Sequence, residues 1–204
     1  MDFQLFVVII IAITVGVPYA SIFEWFFHRY VMHRPVWGFQ YPFRAHALTH
    51  HRIFKADDTY HFQERHHEAE DKAKIRMAWW NIPFIVLMGI TPFVLAALPL
   101  IFFGWWAGSI AISATGLALS LGYYIAYEYT HWCMHLPKSR RIEFWWAFRK
   151  LNGHHLLHHR FPSKNFNVVL PMADWLFGTL LLRSKIKFAQ ARGPSVPDVQ
   201  PLCA

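Results

Sequence analysis

Fourteen histidines occur in 204 residues, and most of them fall into four short clusters. The clusters read HRYVMH (His28 and His33), HALTHH (His46, His50 and His51), HWCMH (His131 and His135) and HHLLHH (His154, His155, His158 and His159). Imidazole is a ligand for zinc, copper, iron and nickel, and several rings sharing one site must be neutral, which a bound metal explains. Spacing sharpens this chemistry. On a helix, residues three and four apart share a face, so His131 and His135 can meet one ion, and His155 points the same way as His158 and His159. Adjacent helical residues diverge by about 100°. His158 and His159 can therefore serve different ions, with His155 supporting one of them. His28 and His33 are five apart, about 140° on an ideal helix, so they require a frayed turn before Pro35 or ligate different ions.

Such rings need a scaffold. The composition is 55% hydrophobic, 18% aromatic and only 16% charged, which argues against an ordinary soluble domain. From Met77 to Tyr127 there is no Lys, Arg, Asp or Glu, and one membrane crossing needs about 20 apolar residues. That stretch accommodates two spans. A third apolar run, Phe3 to Phe23, has no small-residue cleavage site and is read as a retained anchor continuing toward His33. Within the central run Pro83, Pro92 and Pro99 are expected to kink or break the first arm, Gly104 to turn the chain, and Pro137 to end the second arm. Asp57 to Arg76 reads as a charged, solvent-exposed helix, and Arg141 to His159 as an amphipathic helix with Phe144, Trp145, Phe148 and Leu151 on one face. The expected fold is an all-α integral membrane protein with about three transmembrane helices. Residues 1–190 form one membrane-embedded domain in this reading, and 191–204, with three prolines, a loosely ordered tail.

All 20 Lys and Arg residues lie in two blocks, Arg29 to Arg76 and Lys138 to Arg192. Three crossings put both blocks on one side, which the positive-inside rule makes cytoplasmic. All four clusters then meet just below the same membrane surface. The net charge of +8 suits anionic headgroups, and nucleic acid is not an expected partner. Cys133 and Cys203 stand in no C-x-x-C context, so no disulfide framework or thiolate zinc site is implied. His61, His66 and His67 lie in the charged segment and read as structural or surface residues, while the role of His154 stays open. A metal transporter or sensor is the rival from another class, but it needs ligand residues inside the spans, and Met77 to Tyr127 has no Asp, Glu, His or Lys.

Taken in order, the clusters resemble the fatty acid hydroxylase and sterol desaturase superfamily of integral-membrane, histidine-rich metal oxygenases. Its pattern runs H-x4-H or H-x3-H, then H-x2-HH or H-x3-HH, then H-x3-H, then H-x2-HH. The likeness spans roughly Glu24 to Thr179 and includes EWFFHRYVMH, YEYTHWCMH and ADWLFGT. HRYVMHRPVWGF also resembles the bacterial carotenoid hydroxylases. By resemblance, ten histidines bind two metals: His28, His33, His46, His50, His51, His131, His135, His155, His158 and His159. His46 departs from the commoner two-residue spacing before the doubled pair, and His154 offers another register for the fourth cluster.

What the resemblance implies is two iron ions at a cytoplasmic-side site, with zinc as a substitute in purified protein, and O2 as co-substrate. It implies hydroxylation of a lipid, an acyl chain, sterol or carotenoid, with desaturation as the nearest alternative. No G-x-G-x-x-G fingerprint occurs, so electrons must come from an external donor, cytochrome b5-like or ferredoxin-like. No catalytic residue is expected beyond the metal ligands. Glu24, Glu128, Asn167 and Asp174 are candidates to orient the ligand imidazoles. The compact length and the lack of a fused cytochrome domain point to a bacterial inner membrane rather than the endoplasmic reticulum.

Overall fold

The computed structural model describes residues 2–63 and 69–182. Among them the structure is helical, with no strand and a single isolated bridge between Val36 and Phe39. Three helices dominate: α1 (Phe3–Phe27), α2 (Asn81–Phe102) and α3 (Trp106–His135). Each is long and apolar enough to cross a membrane, the first with the turn that extends it to Met32. Two shorter helices follow, α4 (Trp146–Arg160) and α5 (Met172–Leu176). The chain divides into two compact units, one of Met1–Phe23 with Met77–Glu128, the other of Glu24–Arg76 with Tyr129–Ala204.

The first unit is built from apolar helix, and its packing depends on small residues. A Cβ at Gly116 on α3 would overlap the ring of Phe93 on α2, and one at Gly89 would come within 3.0 Å of the Ser120 side chain. Without a hydrophobic driving force between helices in lipid, such close approaches supply the packing energy. Pro92 and Pro99 leave α2 unbroken from Asn81 to Phe102. A proline removes the bond to the carbonyl four residues earlier, which for Pro92 is that of Met88. The Tyr19 hydroxyl of α1 donates to that carbonyl at 3.2 Å. The lost bond is thus replaced from a neighbouring helix, as lipid requires. At the hairpin, Gly104 takes φ 78°, a left-handed conformation suited to glycine.

Two expectations change in the second unit. The amphipathic segment is broken: Arg141–Phe144 forms a 3-10 turn, Trp145 is extended (φ −73°, ψ 131°), and only then does α4 begin. Its inward face carries Phe148 with His154, His155, His158 and His159, while Phe144 and Trp145 are exposed. Hydrophobic spacing alone suggested a different face, because four buried imidazoles do not register as apolar. The charged segment is also not one exposed helix. Within it only Ala69–Ala73 is helical among the described residues, and Tyr60 and Ile75 are buried in irregular chain. His66, His67 and the tail 191–204 lie outside the described residues.

The Gly116 contact generates a test. Gly116→Val should force Phe93 from its rotamer and lower stability by about 1–3 kcal/mol, read as earlier thermal unfolding of the detergent-solubilised chain; unchanged unfolding would show that the contact is slack.

Candidate metal centre

His28 begins a π-helical turn, His28–Met32, closed by the N–H of His33 bonding the carbonyl of His28. A second one, Arg44–His50, ends with the N–H of His51 bonding the carbonyl of His46. A π turn bonds residues five apart, so each brings an i, i+5 pair onto one face. This is neither the frayed end nor the separation between ions that ideal helical angles suggest. His28, His33, His46 and His51 thereby join His158 of α4 in one group, while His50 joins His131 and His135 of α3 and His155 and His159 of α4 in another. Within each group the candidate ligand nitrogens lie within 4.8 Å of one another, and either group can hold a metal ion. Adjacent His158 and His159 go to different groups, and His155 joins His159.

The groups abut. His51 stacks on His159 with ring centroids 4.2 Å apart, and His46 on His50 at 5.2 Å. Phe166 covers the first group, its ring 5.7 Å from His28 and 5.6 Å from His158.

Orientation comes from main-chain carbonyls. The Nδ1 of His50 bonds the Lys74 carbonyl at 3.1 Å, that of His135 the Tyr60 carbonyl at 2.8 Å, and that of His158 the Lys164 carbonyl at 2.7 Å. His28 pairs in the same way with Phe166 and His159 with Phe54. A carbonyl only accepts, so each Nδ1 carries the proton and each Nε2 is left with a lone pair. Those Nε2 atoms face one another. His155 Nε2 lies 3.1 Å from both His135 Nε2 and His159 Nε2, and His50 Nε2 is buried without a hydrogen bond. One proton on His155 Nε2 cannot satisfy three converging lone pairs, and it would leave His155 Nδ1, which has no hydrogen bond, bare as well. A cation satisfies all of them. With metal–imidazole bonds of about 2.1 Å, opposite ligands are about 4.2 Å apart, so a shell within 4.8 Å fits one ion.

Burial keeps the rings neutral. It pushes His33 and His50 down to about 4. His46, His51, His155, His158 and His159 are driven well below the ordinary range, by burial first and then by neighbouring imidazoles. Neutral rings are what a metal requires.

The carbonyls of Lys164 and Phe166 come from a loop that the acidic candidates organise. Asp174 accepts from the N–H of Phe166 (2.9 Å), the N–H of Asn167 (2.8 Å), the Thr179 hydroxyl (2.6 Å) and His154 Nε2 (3.0 Å). Asn167 Nδ2 donates to Glu24 at 3.0 Å, and Glu24 also accepts the N–H of Val168. Asn165 takes a left-handed φ of 57° and ties the loop to the carbonyls of His154 and Leu181. Glu24, Asn167 and Asp174 thus act on the strip of chain that holds His28 and His158. Glu128 accepts from the N–H of Met77 at 3.3 Å. His154, open in the sequence, belongs to neither group and latches α4 to Asp174 on α5. His61 bonds the Met134 carbonyl and is likewise outside both groups. Sequence reasoning missed Tyr60, buried with its hydroxyl bonding Asn152 Oδ1 at 3.0 Å, and every carbonyl acceptor; no residue type marks a carbonyl.

Compared with protein-family models, curated proteins and solved structures, the chain matches nothing. The geometry therefore carries the functional argument alone.

Metal analysis by mass spectrometry should find two ions per chain, one for each group. His155→Ala should reduce that content, whereas His154→Ala should keep it and cost about 1–3 kcal/mol of stability through the lost bond to the Asp174 carboxylate, which keeps its other three donors; equal metal loss in both variants would contradict the division of roles. Acid gives a second test. Imidazoles with folded values near 4 against an unfolded 6.5 take up protons more readily when the chain is unfolded. Their stabilisation is full above 6.5 and is lost as pH falls through 4. The metal-stripped protein should melt progressively earlier across that window, and a flat melting profile would count against buried neutral rings.

Proposed function

We propose that the chain is a membrane oxygenase of the fatty acid hydroxylase and sterol desaturase type, which inserts oxygen from O2 into a carbon–hydrogen bond of a lipid at a pair of iron ions. The observation that carries this reading is the juxtaposition of two all-histidine groups of five, with rings in contact across the boundary. Five nitrogen donors exceed the four that a structural zinc takes, which favours a metal of higher coordination number such as iron. Among the described residues both groups consist of histidine alone, unlike the Glu-and-His centres of ferritin-like bundles.

When bound, the iron pair supplies the O2 activation that no side chain can provide. The chain's own part is to fix ten imidazoles, exclude water and keep the rings unprotonated. Carbonyls of Phe54, Tyr60, Lys74, Lys164 and Phe166 set which nitrogen faces the metal, and Phe166 shields the first group. Reducing equivalents come from an external cytochrome b5-like or ferredoxin-like donor. The three long apolar helices suit a multi-pass protein acting on a substrate dissolved in the bilayer. The two Lys- and Arg-rich blocks favour a cytoplasmic side for the metal unit by the positive-inside rule.

Lipid extracts from cells expressing the intact chain or His158→Ala, supplied with iron and a competent donor, test this by mass spectrometry. A species gaining one oxygen only with the intact chain is the expected result. A species losing two hydrogens would make the protein a desaturase, and matching extracts would overturn the oxygenase reading.

A further inference from the structure

The break before α4 leaves three consecutive aromatic side chains in the open. Phe144 is 54% exposed, Trp145 62% and Trp146 62%. Burying rings this large in a core is strongly favourable, yet the fold turns them outward. Their surroundings are cationic. Arg141, Arg149 and Lys150 are exposed, and the Lys150 ammonium sits 4.9 Å over the Trp146 ring. The one acidic residue from Lys138 to Arg160, Glu143, is buried and paired with Arg140 at 2.6 Å, so it offers no opposing charge at the surface.

The position of the patch limits what can cover it. Arg140, at the start of the turn, lies 4.3 Å over the ring of Trp132 on the last turns of α3. The aromatic turn is therefore tethered beside the end of a helix long and apolar enough to span a bilayer. Tryptophans interleaved with Arg and Lys beside such an end have the chemistry of the membrane–water interface, with rings at headgroup depth and cations against lipid phosphate.

We propose that the surface formed by Arg141, Phe144, Trp145, Trp146, Arg149 and Lys150 is a lipid-binding face that inserts its aromatic rings at headgroup depth and takes anionic phospholipid on its cations. It anchors the first turn of α4, the helix that supplies His155, His158 and His159. The inference needs the chain to sit in a bilayer and is independent of the metal's identity and of the reaction.

The test uses the full chain reconstituted in vesicles of phosphatidylcholine, with or without phosphatidylglycerol. A nitroxide is attached at Trp145→Cys in a Cys133→Ala, Cys203→Ser background. Lys72→Cys, on the exposed and charged Ala69–Ala73 helix, is the aqueous reference. Collision with oxygen relative to a water-soluble nickel chelate should be several-fold higher at 145 than at 72. It should rise further with phosphatidylglycerol, and that increment should vanish in Arg149→Gln/Lys150→Gln. A label at 145 as open to the nickel chelate as the one at 72 would overturn the proposal. So would spin–spin broadening that disappears on dilution with unlabelled chain, since a second copy would then cover the face. Depth without any response to phosphatidylglycerol would overturn the anionic-lipid assignment.

Discussion

Converging lone pairs are the constraint around which the histidine unit is arranged. Like-polarised nitrogens about 3 Å apart repel in a low-dielectric interior, and water cannot relieve them where there is no room for it. Everything that brings ten rings together must therefore work against the rings themselves until a cation arrives. Five hydrogen bonds from Nδ1 to main-chain carbonyls do much of this work, fixing tautomer and direction together. For such a site, metal affinity and folding free energy are one quantity seen from two sides.

The apolar unit obeys the complementary rule. There a backbone carbonyl left over by a proline is the costly object, and Tyr19 meets the one freed by Pro92. Glycine supplies contact where no hydrophobic force acts between helices, as Phe93 against Gly116 illustrates. Buried polar groups in both units are mostly handled by pairing, but the histidine unit leaves some imidazole nitrogens without a hydrogen bond.

Much of this was legible in the residues. Three apolar helices follow from charge-free runs, and the separation of His158 from His159 follows from their helical angles, whereas the group that His155 joins does not. Whether His28 and His33 share an ion stays open on ideal helical angles, and the π turn that brings them into one group is not legible in the residues. The segment from Asp57 to Arg76 reads as a solvated helix because its charges dominate the composition. Its contribution is carbonyl oxygens at Tyr60 and Lys74, joined by that of Phe54 just before it, which every residue type possesses and no sequence pattern displays. His154 shows the opposite limit: a residue of the right type inside the right motif, diverted to Asp174 by tertiary geometry.

Reliance on main-chain acceptors has a genetic consequence. A carbonyl cannot be deleted by exchanging a side chain, so single-base changes at Phe54, Lys74 or Lys164 leave the oxygen in place even when the residue is altered. Heritable variation reaches these contacts only by rerouting the chain, through an insertion, a proline or the loss of a tether such as Asn165 or Asp174. The orientation of the rings is thus encoded by few codons, lying largely outside the histidine motifs.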